Sequence, residues 1–414
     1  MDSLLGYSSS DSENVEEVEK VSEVTKNYGE KLVNQERLIV KKQEWKYNTK
    51  PTKPYISTRK RKSCSNEINQ NQNTKLKIHV GVENLSSQQV LEVPEELTHN
   101  PTPNRIPSRT IIEFNDHKKG VNVLRWNECF GHLLASASMD GSVKIFDVFR
   151  EKSEICTIDH LGGVKDCQWN HDGRQLISGG FDKKVTLSDL STGSVIHTYD
   201  HPQYVTAMKF HPTEPSVFLS GMHKGGLLAW DIRSNQIIKS YPRFFGQVQD
   251  FQFLPDSKYF MTCSDFVLRN SADKSIVVWD FDSGTVHSNQ IYQEAFSCTC
   301  LRTHPNQRSF VAQTNGNYVA IFNLEKPWKM NQHKRFEGHQ VAGFRIQCSI
   351  SHNGTYVASG SADGSLYFYE WSSSKLLKII RNAHYDASMD VVWHPTQGNI
   401  VASCGWDGKI KIWN

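Results

Sequence analysis

Apolar and polar residues alternate in short runs along most of this chain, and the runs recur. In the last stretch, Lys409-Ile410-Lys411-Ile412-Trp413 alternates with the two-residue period of a half-buried strand. Trp406-Asp407-Gly408 before it reads as a tight hairpin turn, and Ile400 to Ser403 as a second strand. His394 to Asn399 is rich in turn formers, and Met389 to Trp393 reads as the first strand of the unit. The phrase from Ala402 to Asn414 is matched by Ala135 to Asp147, and weaker copies end at Asp189, Asp231, Asp280, Asn323 and Glu370. Those seven end points lie roughly 42 to 49 residues apart, close to the period of propeller repeats, about 40–45 residues. No unit of short, half-apolar strands buries its own faces, but units stacked radially bury one another. The pattern predicts an all-β, seven-bladed β-propeller.

The blades fall near 117–157, 158–199, 200–241, 242–288, 289–336, 337–381 and 382–414. Arg109-Thr110-Ile111-Ile112-Glu113-Phe114 has strand character and precedes the first unit. Within 108–115 it is expected to supply the outer strand that blade seven lacks, so that the ring has no orphaned edge.

Candidate chemistry changes this picture little. His384, Ser403, Asp407 and Trp413 contain the residue types of a Ser-His-Asp catalytic triad. The set recurs as His117, Ser136 and Asp140, as His160, Ser178 and Asp182, and as His339, Ser359 and Asp363. Catalysis needs one triad, whereas a set repeated in four blades is a scaffold hydrogen-bond network. Blade three has Lys224 where Asp is expected and blade five has Asn315-Gly316 in its turn, so both are expected to rest on packing alone. The nine cysteines show no metal-ligand spacing, and no Gly-rich phosphate loop is present. Nothing calls for a cofactor or metal, and reduced, buried thiols in an intracellular protein account for the cysteines.

The first 107 residues differ in kind. They are rich in Glu, Ser, Asn, Gln and Lys and poor in aromatics, the composition of a disordered tail. Acidic residues crowd its start, from Asp2 to Glu23, after which a basic stretch contains Arg59-Lys60-Arg61-Lys62. That run reads as a nuclear localisation signal. The serine run Ser8-Ser9-Ser10-Asp11-Ser12-Glu13 reads equally as a phosphorylation site or a solubilising start. The chain carries 47 Lys and Arg against 44 Asp and Glu, and the part after residue 107 is near neutral, so no global field points to nucleic acid. Basic residues around Trp328, from Lys326 to Arg335, offer a local RNA contact, against the simpler reading of a guarded edge strand. No apolar stretch of membrane-spanning length and no signal peptide is expected.

The repeats resemble the WD-repeat family. Leu176 to Asp182, Ser288 to Tyr292 and Ala312 to Tyr318 are similar to the WD repeat-containing protein 25 family, and so are Lys53-Pro54-Tyr55-Ile56 and the serine-acidic start. Ser403 to Gly408 and Glu337 to Gly343 resemble the related pre-mRNA-processing factor 17 family. The resemblance implies a seven-bladed WD-repeat β-propeller acting as a non-enzymatic scaffold. It implies a protein of the nucleus, with the cytoplasm as a further location, associated with pre-mRNA splicing, monomeric within a larger complex, with proteins, spliceosomal ones among them, as partners. Trp230-Asp231-Ile232-Arg233 is similar to the motif by which substrate receptors dock on cullin ubiquitin ligases, which gives a second reading. In WD-repeat propellers the turn between second and third strands opens on the top face. The residues before the turn Asp are Met139, Phe181 and Trp406, against Ala272, Thr314 and Ala362 elsewhere. These three are expected to form a partner-binding patch with Lys118, Lys119 and Lys183 as its basic rim.

Overall fold

The computed structural model describes residues 78–80, 91–94, 97 and 105–414, apart from 151–152, 225, 242–245, 266–274, 290 and 295. Seven antiparallel sheets follow one another along the chain. Blade seven shows how each is made: Ser388–Trp393, Val401–Gly405 and Ile410–Trp413 pair in sequence order. First strands stand side by side around a central channel, and Ser388–Trp393 beside Val121–Trp126 completes the circle. The burial gradient follows from that placement. Val121–Trp126 is almost wholly buried, whereas the outermost strand of blade three, Gln236–Tyr241, leaves Ile237 and Ile238 exposed.

The outer position of blade seven is filled by Thr110–Phe114, with Thr110 opposite Trp413 and Phe114 opposite Ile410. Backbone bonds from Ser108 and Arg109 to the Asn414 carbonyl extend the pairing, at 2.9 and 3.0 Å. Glu113 adds an ion pair with Lys409 across the two strands. Phe114 drops into the core shared by blades seven and one, among Leu124, Leu134, Phe146, Ala402 and Ile412, with its ring 4.4 Å from that of Phe146.

The compositional boundary at residue 107 is not where described structure begins. Ile78–Val80 is a fifth strand on the outer edge of blade one, Ile78 opposite Ile158 and Val80 opposite Cys156. A short β-branched run next to an open strand edge is enough to pair. Arg105 donates its N–H to the Gly398 carbonyl at 3.1 Å, and the buried Pro107 accepts from Lys378 Nζ at 2.9 Å. The serine run Ser8 to Glu13 and the basic run Arg59 to Lys62 lie outside the described residues.

Deleting residues 1–115 removes Phe114 from its core and bares the Ile410–Trp413 edge. It should lower the melting temperature by roughly 5–10 °C relative to a chain deleted for 1–104 and promote aggregation. Calorimetry and light scattering on the two truncations check this; equal melting would remove the strand's role in closure.

Candidate partner-binding face

Three blades carry the same hydrogen-bonded set. His117 meets Ser136 Oγ through Nε2 at 2.7 Å and Asp140 through Nδ1 at 2.9 Å. His160 meets Ser178 and Asp182, each at 2.8 Å. His384 meets Ser403 at 2.8 Å and Asp407 at 3.1 Å, and Trp413 Nε1 donates to the same Ser403 oxygen at 2.8 Å. The order is that of a hydrolytic triad, but Ser136, Ser178 and Ser403 are each 0 % exposed, so none presents its hydroxyl to a substrate. The carboxylates instead pin loops. Asp140 accepts from the Lys118 and Ser142 N–H groups, and Asp407 from those of Tyr385 and Lys409. Burial pushes both carboxyls up, but the histidine and these N–H donors outweigh it and hold both below the usual carboxylate range.

The other blades depart from expectation. Blade three does not rest on packing alone. Without an Asp, His201 still meets Ser220 at 2.8 Å, turns Nδ1 to the Tyr199 carbonyl at 3.0 Å, and is held down to about 4 by burial. Trp230 Nε1 donates to the same serine at 3.3 Å. Blade five also has a polar set, of other residues: the Tyr292 hydroxyl lies 2.5 Å from that of Tyr318, which bonds Glu294, the partner of Arg335. Blade six has the expected residues but a different circuit. His339 bonds neither Ser359 nor Asp363; Nδ1 meets the Tyr369 hydroxyl at 2.9 Å and Nε2 the Gln313 amide of blade five at 2.7 Å. Two tyrosines cause the exchange, since Tyr367 donates to Asp363 at 3.0 Å while Ser359 turns to the Gly360 carbonyl at 2.8 Å.

Sequence reasoning missed a charged ring in the channel. Asp166, Asp250 and Asp390 occupy the third position of the first strand in blades two, four and seven, and all are buried. Each accepts from the next N–H of its own strand and from the first strand of the following blade, at Met208, Leu301 and Leu124. Arg125, Lys209 and Arg302 occupy the fifth position in blades one, three and five. Arg125 lies 3.0 Å from Asp390 and 3.2 Å from Asp166, Arg302 lies 2.7 Å from Asp250, and Lys209 lies 3.6 Å from the same carboxylate. Blade six places the neutral Gln347 at this level, where its Oε1 accepts from Arg125 and Arg302. Acids and bases at fixed, alternating repeat positions were the signal that would have found this ring.

At one end of the channel, the residue opening each second-to-third-strand turn donates its N–H to a carbonyl in the segment that leads into the first strand. The donors are Met139, Phe181, His223, Asp265, Asn315, Ala362 and Trp406. This register corrects one position, Thr314. Blade five presents Asn315, since Thr314 ends its strand and bonds the Tyr318 carbonyl at 2.8 Å. Blade four presents Asp265, and Ala272 lies outside the described residues. Phe181 is 40 % and Trp406 43 % exposed, while Met139 is half-buried over Gly163. The three stand on adjacent blades, each leaning on a neighbour. Phe181 lies 5.0 Å from the Tyr204 ring, which stacks on His223, and Trp406 lies over Gly120 with its ring edge-on to Phe344 at 5.3 Å. Lys118, Lys119 and Lys183 are exposed. The sequence reading missed Leu161, 71 % exposed, and Tyr385, 89 % exposed, each directly after a network histidine.

A family model described as WD domain, G-beta repeat matches residues 108–147, 330–370 and 374–414. The first match begins with the strand that closes blade seven and runs through the first three strands of blade one. This chain is a WD-repeat protein. A second family model, eukaryotic translation initiation factor eIF2A, matches residues 135–298. The WD-repeat chain is 34 % identical to mouse WD repeat-containing protein 25 over 75 % of its own length and 58 % of the relative's. It is 32 % identical to human pre-mRNA-processing factor 17 over 78 % of its own length and 56 % of that protein. The yeast pre-mRNA-processing factor 17 is 28 % identical over 74 % of this chain and 67 % of that protein. The chain therefore spans a little over half of the mouse and human relatives.

Two further motifs of this WD-repeat protein have definite places. Trp328 is 3 % exposed, in a core cluster with Ile291 and Met330, so its ring is closed to an RNA base and the proposed stacking contact is withdrawn. Trp230 is buried, and the Arg233 side chain, 76 % exposed, folds back on Asp231 at 3.1 Å.

Asp407→Asn should cost about 1–2 kcal/mol at pH 7, read from urea unfolding. The folded-state pKa lies below the unfolded one, so the stabilisation is complete above the unfolded value, near 4, and fades as pH falls through it toward the folded value. The gap between wild type and variant should therefore narrow from about pH 5 to pH 3; a gap constant with pH would show that the ionised carboxylate contributes nothing.

Proposed function

We propose that this protein is a non-enzymatic scaffold of the nucleus, serving a pre-mRNA splicing assembly by binding other proteins. Partners would dock on the sector that carries Met139, Phe181 and Trp406, rimmed by Lys118, Lys119 and Lys183. The observation that carries this reading is the exposure of Phe181 and Trp406 on either side of Met139, in a ring whose other turns present His223, Asp265, Asn315 and Ala362. Exposed apolar side chains with a charged rim mark interaction sites, and Trp is enriched at hot spots. Similarity to pre-mRNA-processing factor 17 supports the assembly named, and the basic run Arg59 to Lys62 supports the compartment.

Trp406→Ala should weaken partner binding by about 2 kcal/mol, roughly thirtyfold, with the melting temperature little changed. Affinity capture of the full chain, wild type and variant, followed by mass spectrometry should recover splicing proteins with wild type and lose them with the variant. Retention of every partner would remove the sector. Recovery of a cullin adaptor, lost on Arg233→Ala, would assign the receptor role in its place.

Replacing Arg59, Lys60, Arg61 and Lys62 with Ala should shift a tagged protein toward the cytoplasm. Fluorescence microscopy decides, and unchanged nuclear accumulation would leave the run a charged linker.

A further inference from the structure

The charges of the channel balance at one level and not at another. Arg125, Lys209 and Arg302 face Asp166, Asp250 and Asp390. Two further cations, Arg345 and Lys165, make no ion pair among the described residues. Arg345 precedes the first strand of blade six, and it reaches across the ring to blade two, where Nη1 donates to the Lys165 carbonyl at 3.3 Å. Its Nε and Nη2 are buried and find no acceptor among the described residues. Lys165, the second residue of its strand, makes no ion pair with a described carboxylate. Burial and the nearby Arg345 guanidinium pull its amine down to about 8, and no acidic group raises it. Arg345 also acts on Asp250, a carboxylate already paired with Arg302 and Lys209. On the same channel wall Gln347, fully buried, has its Nε2 without an acceptor.

Two cations held side by side with orphaned N–H donors, and no carboxylate between them, form a site for an anion. The site also has a position relative to the surface. Lys165 Nζ lies 5.5 Å from the Phe181 ring centre, and Phe344, next to Arg345, lies against Trp406. Both cations therefore stand at the channel mouth that opens between the exposed aromatics. Arg345 and Lys165 are half-buried, not sealed.

We propose that this mouth is an oxyanion site, in which Arg345 and Lys165 take up one carboxylate or phosphate group. A planar guanidinium with two free N–H groups suits the paired oxygens of either anion. The two sources differ in what else binds: a free phosphate fills the mouth alone, whereas an acidic side chain brings a peptide across Phe181 and Trp406. The site does not depend on the splicing assignment, since either anion would bind the isolated protein.

The test is calorimetric titration of the full chain at constant ionic strength with two probes: inorganic phosphate, and a short peptide with one glutamate, run beside its glutamine counterpart. One or both probes should bind, and Arg345→Gln should weaken that binding at least about tenfold. Phosphate binding alone identifies a free anion. Binding of the glutamate peptide in preference to the glutamine one identifies an acidic segment of a partner. If Arg345→Gln is not folded by circular dichroism, Lys165→Gln carries the test, with a loss of several-fold and of the pH dependence near 8. No binding by either probe at about 10 mM, or binding that neither substitution changes, overturns the proposal.

Discussion

Among the described residues neighbouring blades share no backbone ladder, so the seams depend on what their innermost strands exchange through side chains. The strongest exchange is carried by Asp166, Asp250 and Asp390, each of which bonds an N–H of its own strand and one of the next blade. A carboxylate buried in this way requires a cation: Arg125 and Arg302 supply it to Asp390 and Asp250 from the following blade, and Arg125 supplies it to Asp166 from the preceding one. Taking away one member would leave the other charged and buried, an imbalance on the order of 3–5 kcal/mol. The ring thus fixes which blades may be adjacent as well as how closely they pack.

The His-Ser-Asp sets act one layer further out. They join a loop before the first strand to the turn between second and third strands, and in blades one, two and seven that joint lies directly under Met139, Phe181 and Trp406. An exposed aromatic on a pinned turn loses little conformational freedom when a partner covers it. The complete sets occur in the blades whose turns carry large apolar side chains, whereas blades three and six, which present His223 and Ala362, run altered circuits. Rigidity and exposure are therefore placed together.

The repeat and its turns were legible because period-two alternation and Gly-bearing hairpins are local signals; Asp407-Gly408 and Asp140-Gly141 announce their turns without tertiary information. The circuit of blade six was not, because His339 chooses between Asp363 and Tyr369 by where hydroxyl groups arrive in space, and both choices fit the same spacing. Trp328 misled for a related reason: lysines flank it in sequence, but its ring turns into the core of the blade. Thr314 was mistaken for a turn residue because blade five opens its turn one residue later. The channel ring was spelled out in the repeats, yet its meaning lies in pairing between blades, which a blade-by-blade reading does not compare.

Pairing Thr110–Phe114 with Ile410–Trp413 closes a loop of about 300 residues, but loop-closure entropy grows only with the logarithm of length. Beyond a blade-sized hairpin the extra cost is about 2 kcal/mol in an unfolded chain. That cost vanishes once the intervening blades have formed, because an arc of six and three-quarter blades already holds its two ends face to face. Assembly in order along the chain, with the seam last, is therefore the least expensive route.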